Sequence, residues 1–414
     1  MTPGTSTSAT DAVSAASADV PRSAHSSPSK PGWPRYEADE INAVLNVLCS
    51  GRVNALVHGE ENKSFEREFA HYAGAAHAIG VANGTVSLEL GLRALGIGPG
   101  DEVIVPARSF FATVSCVLAV GATPVFADVQ ADSQNIDPAS VERIISSRVK
   151  ALICVHLAGW PCDMDALISI CDSHGLFLIE DCAQAHGAAF HGRRVGSFGD
   201  VASFSFCTDK IMSTGGEGGA LLLKNEELWA RAWAYKDHGK NPYKIEASAG
   251  APGEFRYLHD GPGSNFRLTE MQAAIGRCQL RKLSNWLGAR ERNTAVLTQV
   301  LQGHPMLSLP APPAHTRHAW YKYYVQLVDT GGCVTTQRSR IVAGLRQLGI
   351  PCDSGSCPDM SREDAFADRS IRRDGELPVA RALGTRTLMF AVDHTLGEED
   401  MQRVAKALLS VLDE

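Results

Sequence analysis

Apolar positions along the chain follow two alternating periods. From residue 76 to about residue 223, short apolar runs alternate with stretches in which apolar residues recur every three or four positions. The runs at residues 77–81, 102–105, 124–127, 151–155, 176–179, 201–206 and 220–223 read as strands. Between them, residues 86–95 form a helical pattern with Leu88, Leu92 and Leu95 inward, and residues 111–120, 138–146 and 163–173 form others. Strand–helix alternation of this kind predicts a mainly parallel sheet covered on both faces. Upstream, residues 34–50 predict an amphipathic helix with Ile41, Val44, Leu45 and Leu48 on one face, and residues 65–72 a second with Phe65, Phe69 and Tyr72. Downstream, residues 268–301 are strongly helical, as one long helix or two. The texture then changes: residues 321–327 are strand-like, and residues 335–348 form a helix ended by Gly349. The expected organisation is a disordered Ser/Ala/Thr/Pro-rich tail over residues 1–32, a large α/β domain over 33–289 and a smaller α+β domain over 290–414. No internal repeat is visible.

Composition narrows the picture. A chain of 414 residues with 44% hydrophobic and 21% charged residues has ample material for a core. The net charge of −7, with no basic run interleaved with aromatics, argues against nucleic-acid binding. No apolar run approaches the roughly 20 residues that span a bilayer, so no membrane partner is expected. The tail lacks the apolar stretch of a signal peptide and carries Asp11 and Asp19, which argues against a transit peptide. Eleven scattered cysteines point to free thiols in a reducing cytoplasm. Cys352 and Cys357 lack a second close pair, and the 14 histidines show no metal-binding spacing, so no metal is expected.

Candidate chemistry lies just after the strands, where open parallel sheets bind ligands. Asn83-Gly84-Thr85 follows one strand and opens a helix, an arrangement that suits a phosphate or simply caps the helix. Phe110, after the next strand, could stack on a planar ring or fill the core. Asp181, in Glu180-Asp181-Cys182-Ala183-Gln184, ends a buried strand; it needs a partner, which a protonated pyridine nitrogen would supply, unless it caps a helix or binds a metal. Ser203 to Lys210 closes a further strand and runs into Gly215-Gly216-Glu217-Gly218-Gly219. The glycines follow the lysine, so this is not a P-loop. Lys210 is either a Schiff-base lysine or a solvated turn residue. Each signal is weak alone, but their order is what anchoring pyridoxal phosphate (PLP) at every corner requires.

These stretches resemble the DegT/DnrJ/StrS-type family of PLP-dependent nucleotide-sugar aminotransferases, in "NGTVSLELGLRALGIGPGDEVIVP", "GATPVFADV", "IEDCAQAHGA", "GSFGDVASFSF", "DKIMSTGGEGG" and "GSNFRLTEMQAAIGRCQL". The similarity covers about nine-tenths of the chain, from residue 33 to the C-terminus. It implies an aspartate-aminotransferase-like fold (PLP fold type I) working as a homodimer with shared active sites. By position, it makes Lys210 the Schiff-base lysine, Asp181 the partner of the pyridine nitrogen, and Gln184 a neighbour of the ring hydroxyl. Gly84, Thr85 and Ser205 match phosphate ligands, Phe110 the stacking aromatic, and Asn265 a residue reaching the phosphate across the dimer. Arg108 receives no role, while His186 and His318 are expected near the sugar. A lysine where some members carry histidine favours transamination over dehydration. The implied donor is glutamate or glutamine and the implied acceptor a keto-sugar, with a keto-cyclitol or an aromatic precursor as the alternative. A non-catalytic sensor is disfavoured by the presence of Lys210, Asp181 and Gln184, and a Rossmann oxidoreductase by the absence of Gly-x-Gly-x-x-Gly.

Overall fold

The computed structural model describes residues 32–247, 255–328, 334–367 and 371–413. Except for Gly32, the expected tail lies outside these residues. In chain order the elements are α1 (Ala38–Ser50), α2 (Glu60–Ala73), β1 (His77–Val81), α3 (Gly84–Ala94), β2 (Glu102–Pro106), α4 (Ala112–Ala119), β3 (Thr123–Ala127), α5 (Pro138–Ile144) and β4 (Val149–Val155). Next come α6 (Met164–His174), β5 (Phe177–Asp181), β6 (Ala189–Phe190), β7 (Arg193–Arg194), β8 (Val201–Ser205), β9 (Gly219–Leu223), α7 (Glu226–Lys236), α8 (Pro242–Glu246) and α9 (Glu270–Leu301). The C-terminal part holds β10 (Leu307–Ser308), β11 (Thr316–Arg317), β12 (Tyr323–Leu327), α10 (Val334–Gln347), β13 (Arg372–Arg373), α11 (Pro378–Arg386), β14 (Thr387–Phe390) and α12 (Glu398–Asp413).

The main sheet has the order β1-β9-β8-β5-β4-β2-β3-β13. Only β9 runs against its neighbours, so the carboxyl ends of β1, β8, β5, β4 and β2 share one edge. Alternation along each strand sends side chains to two cores. Ile79, Val81, Val103, Val105, Ala151 and Ile153 meet the apolar faces of α3, α4 and α7 on one side. On the other, Ala202, Phe204 and Leu222 meet α2 and α9, while Ile104, Leu152 and Cys154 meet α5 and α6. Both faces are covered, as the strand–helix alternation predicts.

Residues 268–301 form one helix beyond its cap, α9, started by a Thr269/Gln272 capping box. Its Leu283 and Leu287 pack under the main sheet, whereas Leu297 and Leu301 pack with the antiparallel sheet β10-β12-β14, α10 and α12. The boundary expected at residue 289 therefore falls within a helix that serves both cores. The C-terminal part also returns to the main sheet, where β13 pairs with β3 and Leu377, Ala380 and Leu383 join the core on the α3 side. On α1 the apolar stripe does not face the core of its own chain. Ile41, Leu45 and Leu48 are about half exposed, while Glu40 and Val47 are buried. The reason is polar: Glu40 caps its own helix through the Glu37 N–H and takes the Lys282 ammonium of α9 at 2.8 Å.

Candidate active site

The floor of the site is the junction of β1, β8 and β9 with the start of α3. Asn83 is extended and its side chain accepts the Val86 N–H at 3.0 Å, capping α3 and leaving the N–H groups of its first turn unpaired within the helix. Ser203 Oγ donates to the Gly84 carbonyl at 3.2 Å, drawing β8 against this turn. The approach is so close that a Cβ on Gly84 would lie 2.7 Å from Cβ of Ser205. Glycine is required there for contact rather than for backbone conformation.

Asp181 ends β5 beneath a buried polar network. Its carboxylate accepts from Thr113 Oγ1 at 3.0 Å and the Ala183 N–H at 3.1 Å. Burial raises the Asp181 carboxyl above the usual range, because these two bonds and the more distant Lys210 charge offset desolvation only in part. Under the strand end, Glu180 accepts the N–H groups of Gly196, Phe198 and Gly199. His156 Nδ1 accepts the Cys162 N–H at 3.0 Å, so Nε2 carries the proton and donates to Glu180 Oε2 at 3.2 Å. The His156 backbone N–H reaches the Asp181 carbonyl at 3.2 Å. His156, Glu180 and Cys182 gather ligand-type atoms within 4.8 Å, but the glutamate and the imidazole Nδ1 are already engaged by the protein's own N–H groups.

Lys210 sits on a loop tied at several points. Glycines 215, 216 and 218 adopt positive φ, and a Cβ at Gly218 would collide with Thr214 Oγ1. Trp33 Nε1 donates to the Lys210 carbonyl at 2.7 Å, and the Tyr36 hydroxyl accepts the Gly215 N–H at 3.1 Å. The lysine side chain is 16% exposed.

A cavity of about 780 Å³ opens above these elements. Lys210, Asp181, Gln184, Gly84, Thr85, Ser205 and Phe110 all line it. Gln184 Oε1 accepts the Ala158 N–H at 2.7 Å, which leaves its amide nitrogen as the free donor. Asn265 does not line the cavity of its own chain; it is exposed and bridges to Asp237. His186 and His318 depart from expectation, since neither lines this cavity. His186 is buried against Phe204 and Phe206 with no hydrogen-bond partner, and burial pushes it down to about 3. His318 stacks on Trp320 beside a smaller cavity, and burial likewise pushes it down to about 3.

Four lining features escape sequence reasoning: Asp209, Tyr321, Tyr324 and the wall Gly355-Ser356-Cys357. Asp209 adjoins Lys210, a signal that was available. Nothing local could bring residues 321–357 to the sheet edge. Arg108 holds that wall: it is buried and donates to Gln134 Oε1 at 2.8 Å and to the Ser356 carbonyl at 3.1 Å.

The profile of the DegT/DnrJ/EryC1/StrS aminotransferase family matches residues 34–409. The chain belongs to this family. It is 36% identical, over 92% of its length and 93% of the relative's, to dTDP-3-amino-3,4,6-trideoxy-alpha-D-glucose transaminase of Streptomyces venezuelae. It is 37% identical to L-glutamine:2-deoxy-scyllo-inosose aminotransferase of Streptoalloteichus tenebrarius, over 92% of this chain and 94% of that one. Among solved structures, an aminotransferase from Psychrobacter cryohalolentis shares 42% identity and superposes with a TM-score of 0.88, covering 92% of this chain and 98% of its own. The protein is thus a PLP-dependent aminotransferase of fold type I. Its own residues fit the cofactor. The α3 start, with no side chain at Gly84 and hydroxyls at Thr85 and Ser205, offers a phosphate cradle. Among the described residues the buried Asp181 carboxylate forms no salt bridge, and a pyridinium N–H would provide the missing cation.

Proposed function

We propose that this aminotransferase moves an amino group from glutamate or glutamine to the carbonyl of a nucleotide-linked keto-sugar, with Lys210 as the covalent anchor of the cofactor. The observation that carries the reading is a single cavity lined by an amine, a buried carboxylate and a helix N-terminus. Bound PLP supplies the aldehyde that accepts and passes on the amine, and the ring that takes up the electrons of a broken C–H bond.

The protein's residues supply everything else. The first-turn N–H groups of α3 with the Thr85 and Ser205 hydroxyls hold the phosphate. Asp181 would accept the ring N–H and keep that nitrogen protonated, and Gln184 would donate to the ring hydroxyl. Phe110 would cover one ring face. Freed Lys210 Nζ takes the proton from the donor's α-carbon and returns one, a general-base role. Tyr324 and the Gly355–Cys357 wall narrow access of water. Two features support a homodimer. The half-exposed stripe Ile41, Leu45 and Leu48 on α1 awaits cover, and exposed Asn265, away from its own cavity, is free to reach the partner's. Free thiols among the described cysteines suit a reducing cytoplasm.

A second acceptor class, keto-cyclitols, is favoured by the 37% identity to the inosose aminotransferase. Mass spectrometry of products from a panel of keto-sugar nucleotides and keto-inositols, with glutamate and glutamine as donors, decides between them. Amination of at least one sugar nucleotide is expected. A panel in which only inososes gain nitrogen would move the assignment to the cyclitol reading.

A further inference from the structure

Lys210 shares its end of the cavity with two groups given no role above. Asp209 Oδ1 lies 3.4 Å from Lys210 Nζ. The Tyr321 hydroxyl lies 3.5 Å from the same Nζ and donates to Asp209 Oδ2. Amine, carboxylate and phenol therefore form a closed triangle at the cavity wall, although Tyr321 is 111 residues from the lysine.

Tyr321 is held from its backbone. Its N–H donates to the Ala158 carbonyl at 2.9 Å, and its carbonyl accepts from Arg290 Nη1 at 3.1 Å. Lys210 Nζ and Lys322 Nζ each lie 5.1 Å from its ring centre, where the face of the ring attracts cations. The Tyr321 backbone is thus held by partners other than the lysine.

A transaminase lysine alternates between a bonded and a free amine. The free amine has to stay near the reacting carbon and change protonation there. A carboxylate within 4 Å favours the ammonium form. A phenol can donate to a neutral amine or accept from a charged one. We propose that Asp209 and Tyr321 form a docking pair that holds the free Lys210 amine at the cavity wall, Asp209 by charge and Tyr321 by hydrogen bonding. Both are positioning residues, and the inference rests on Lys210 being the anchor.

The surroundings agree. Burial alone would raise the Asp209 carboxyl, but the Lys210 ammonium and Tyr321 hydroxyl outweigh it and hold Asp209 below the usual range. Burial, reinforced by the Asp209 charge, pushes the Tyr321 hydroxyl well up, so it remains a donor. The other charged or titratable groups near Lys210 are Asp181, Glu217 and Cys207 on the cavity wall, with His186, Arg290 and Lys322 close by. Tyr324 faces Asp209 across the same cavity.

The test uses cofactor-free protein. Acetylation of Lys210 by a limiting reagent at fixed pH, read by peptide mass spectrometry, reports how firmly the pair holds its amine. Asp209→Asn is expected to speed that acetylation about tenfold, and Asp209→Glu to bring it back most of the way. In the holoenzyme, Tyr321→Phe is expected to lower kcat about tenfold or more while the donor KM stays nearly unchanged. Circular dichroism and thermal unfolding establish that each variant folds. An unchanged acetylation rate in folded Asp209→Asn that still takes up PLP on Lys210 overturns the pairing alone. Failure of the unaltered protein to take up PLP on Lys210 would remove the anchor reading and this proposal together.

Discussion

Gly84 shows how closely a single side chain is matched to the site. The α3 start and β8 meet so tightly that any Cβ at residue 84 would strike Ser205, itself part of the proposed phosphate cradle. Gly84→Ala should therefore push the helix start away from the strand and weaken PLP binding by at least about tenfold, equivalent to roughly 1.4 kcal/mol. Spectroscopic titration of the apo-protein with PLP measures this, and an affinity equal to that of the unaltered protein would show that the turn is not the phosphate cradle. Residues of this kind were legible in the sequence because they sit directly after apolar runs. Gly84, Thr85, Phe110, Asp181, Gln184, Ser205 and Lys210 all follow or end strands that share one sheet edge. Tyr321 and Tyr324 were not legible as site residues, since local sequence carries no record of which distant strand end they will face.

Among the elements, β5 and its surroundings show how a buried strand end is kept in place. Glu180 gathers three backbone N–H groups and the His156 imidazole, while Asp181 is left facing the cavity. His186, on the turn after β5, has no polar partner and lies among aromatic rings. Its folded-state value of about 3 is below the ordinary 6.5, so between those limits the unfolded chain binds the extra proton. The stability of its neutral form is fully present above pH 6.5 and is lost as pH falls through that window. His186→Leu should remove about one proton from the pH dependence of unfolding, roughly 1 kcal/mol per pH unit between pH 6 and pH 4. Urea denaturation across that range reads it, and identical slopes in both proteins would mean that the imidazole is charged or solvated in the fold. The element pattern was itself largely legible: the helix and strand periods placed β1 to β5 and α9 within a few residues. Short pairings such as β6, β7, β11 and β13 are two residues long and exist only through tertiary contact, which no period announces.

For the whole molecule, the mixed sheet, the long helix α9 and the C-terminal part bring the walls of one cavity together. Residues 33–36 clasp the lysine loop through Trp33 and Tyr36, and residues 355–357, held by Arg108, close the opposite side. The domain division read from texture was less informative, because α9 runs through both cores and β13 returns to the first sheet. The stripe on α1 was legible as one apolar face, but what covers it was not, because an amphipathic pattern states only that such a face will be covered, not by what. Everything at this scale converges on one amine. The most direct measurement is reduction of the PLP-loaded protein with borohydride, followed by peptide mass mapping. The expected result is one phosphopyridoxyl group per chain on the peptide containing Lys210, and none in Lys210→Ala. Labelling at another lysine, or a protein that takes up no PLP, would contradict the assignment.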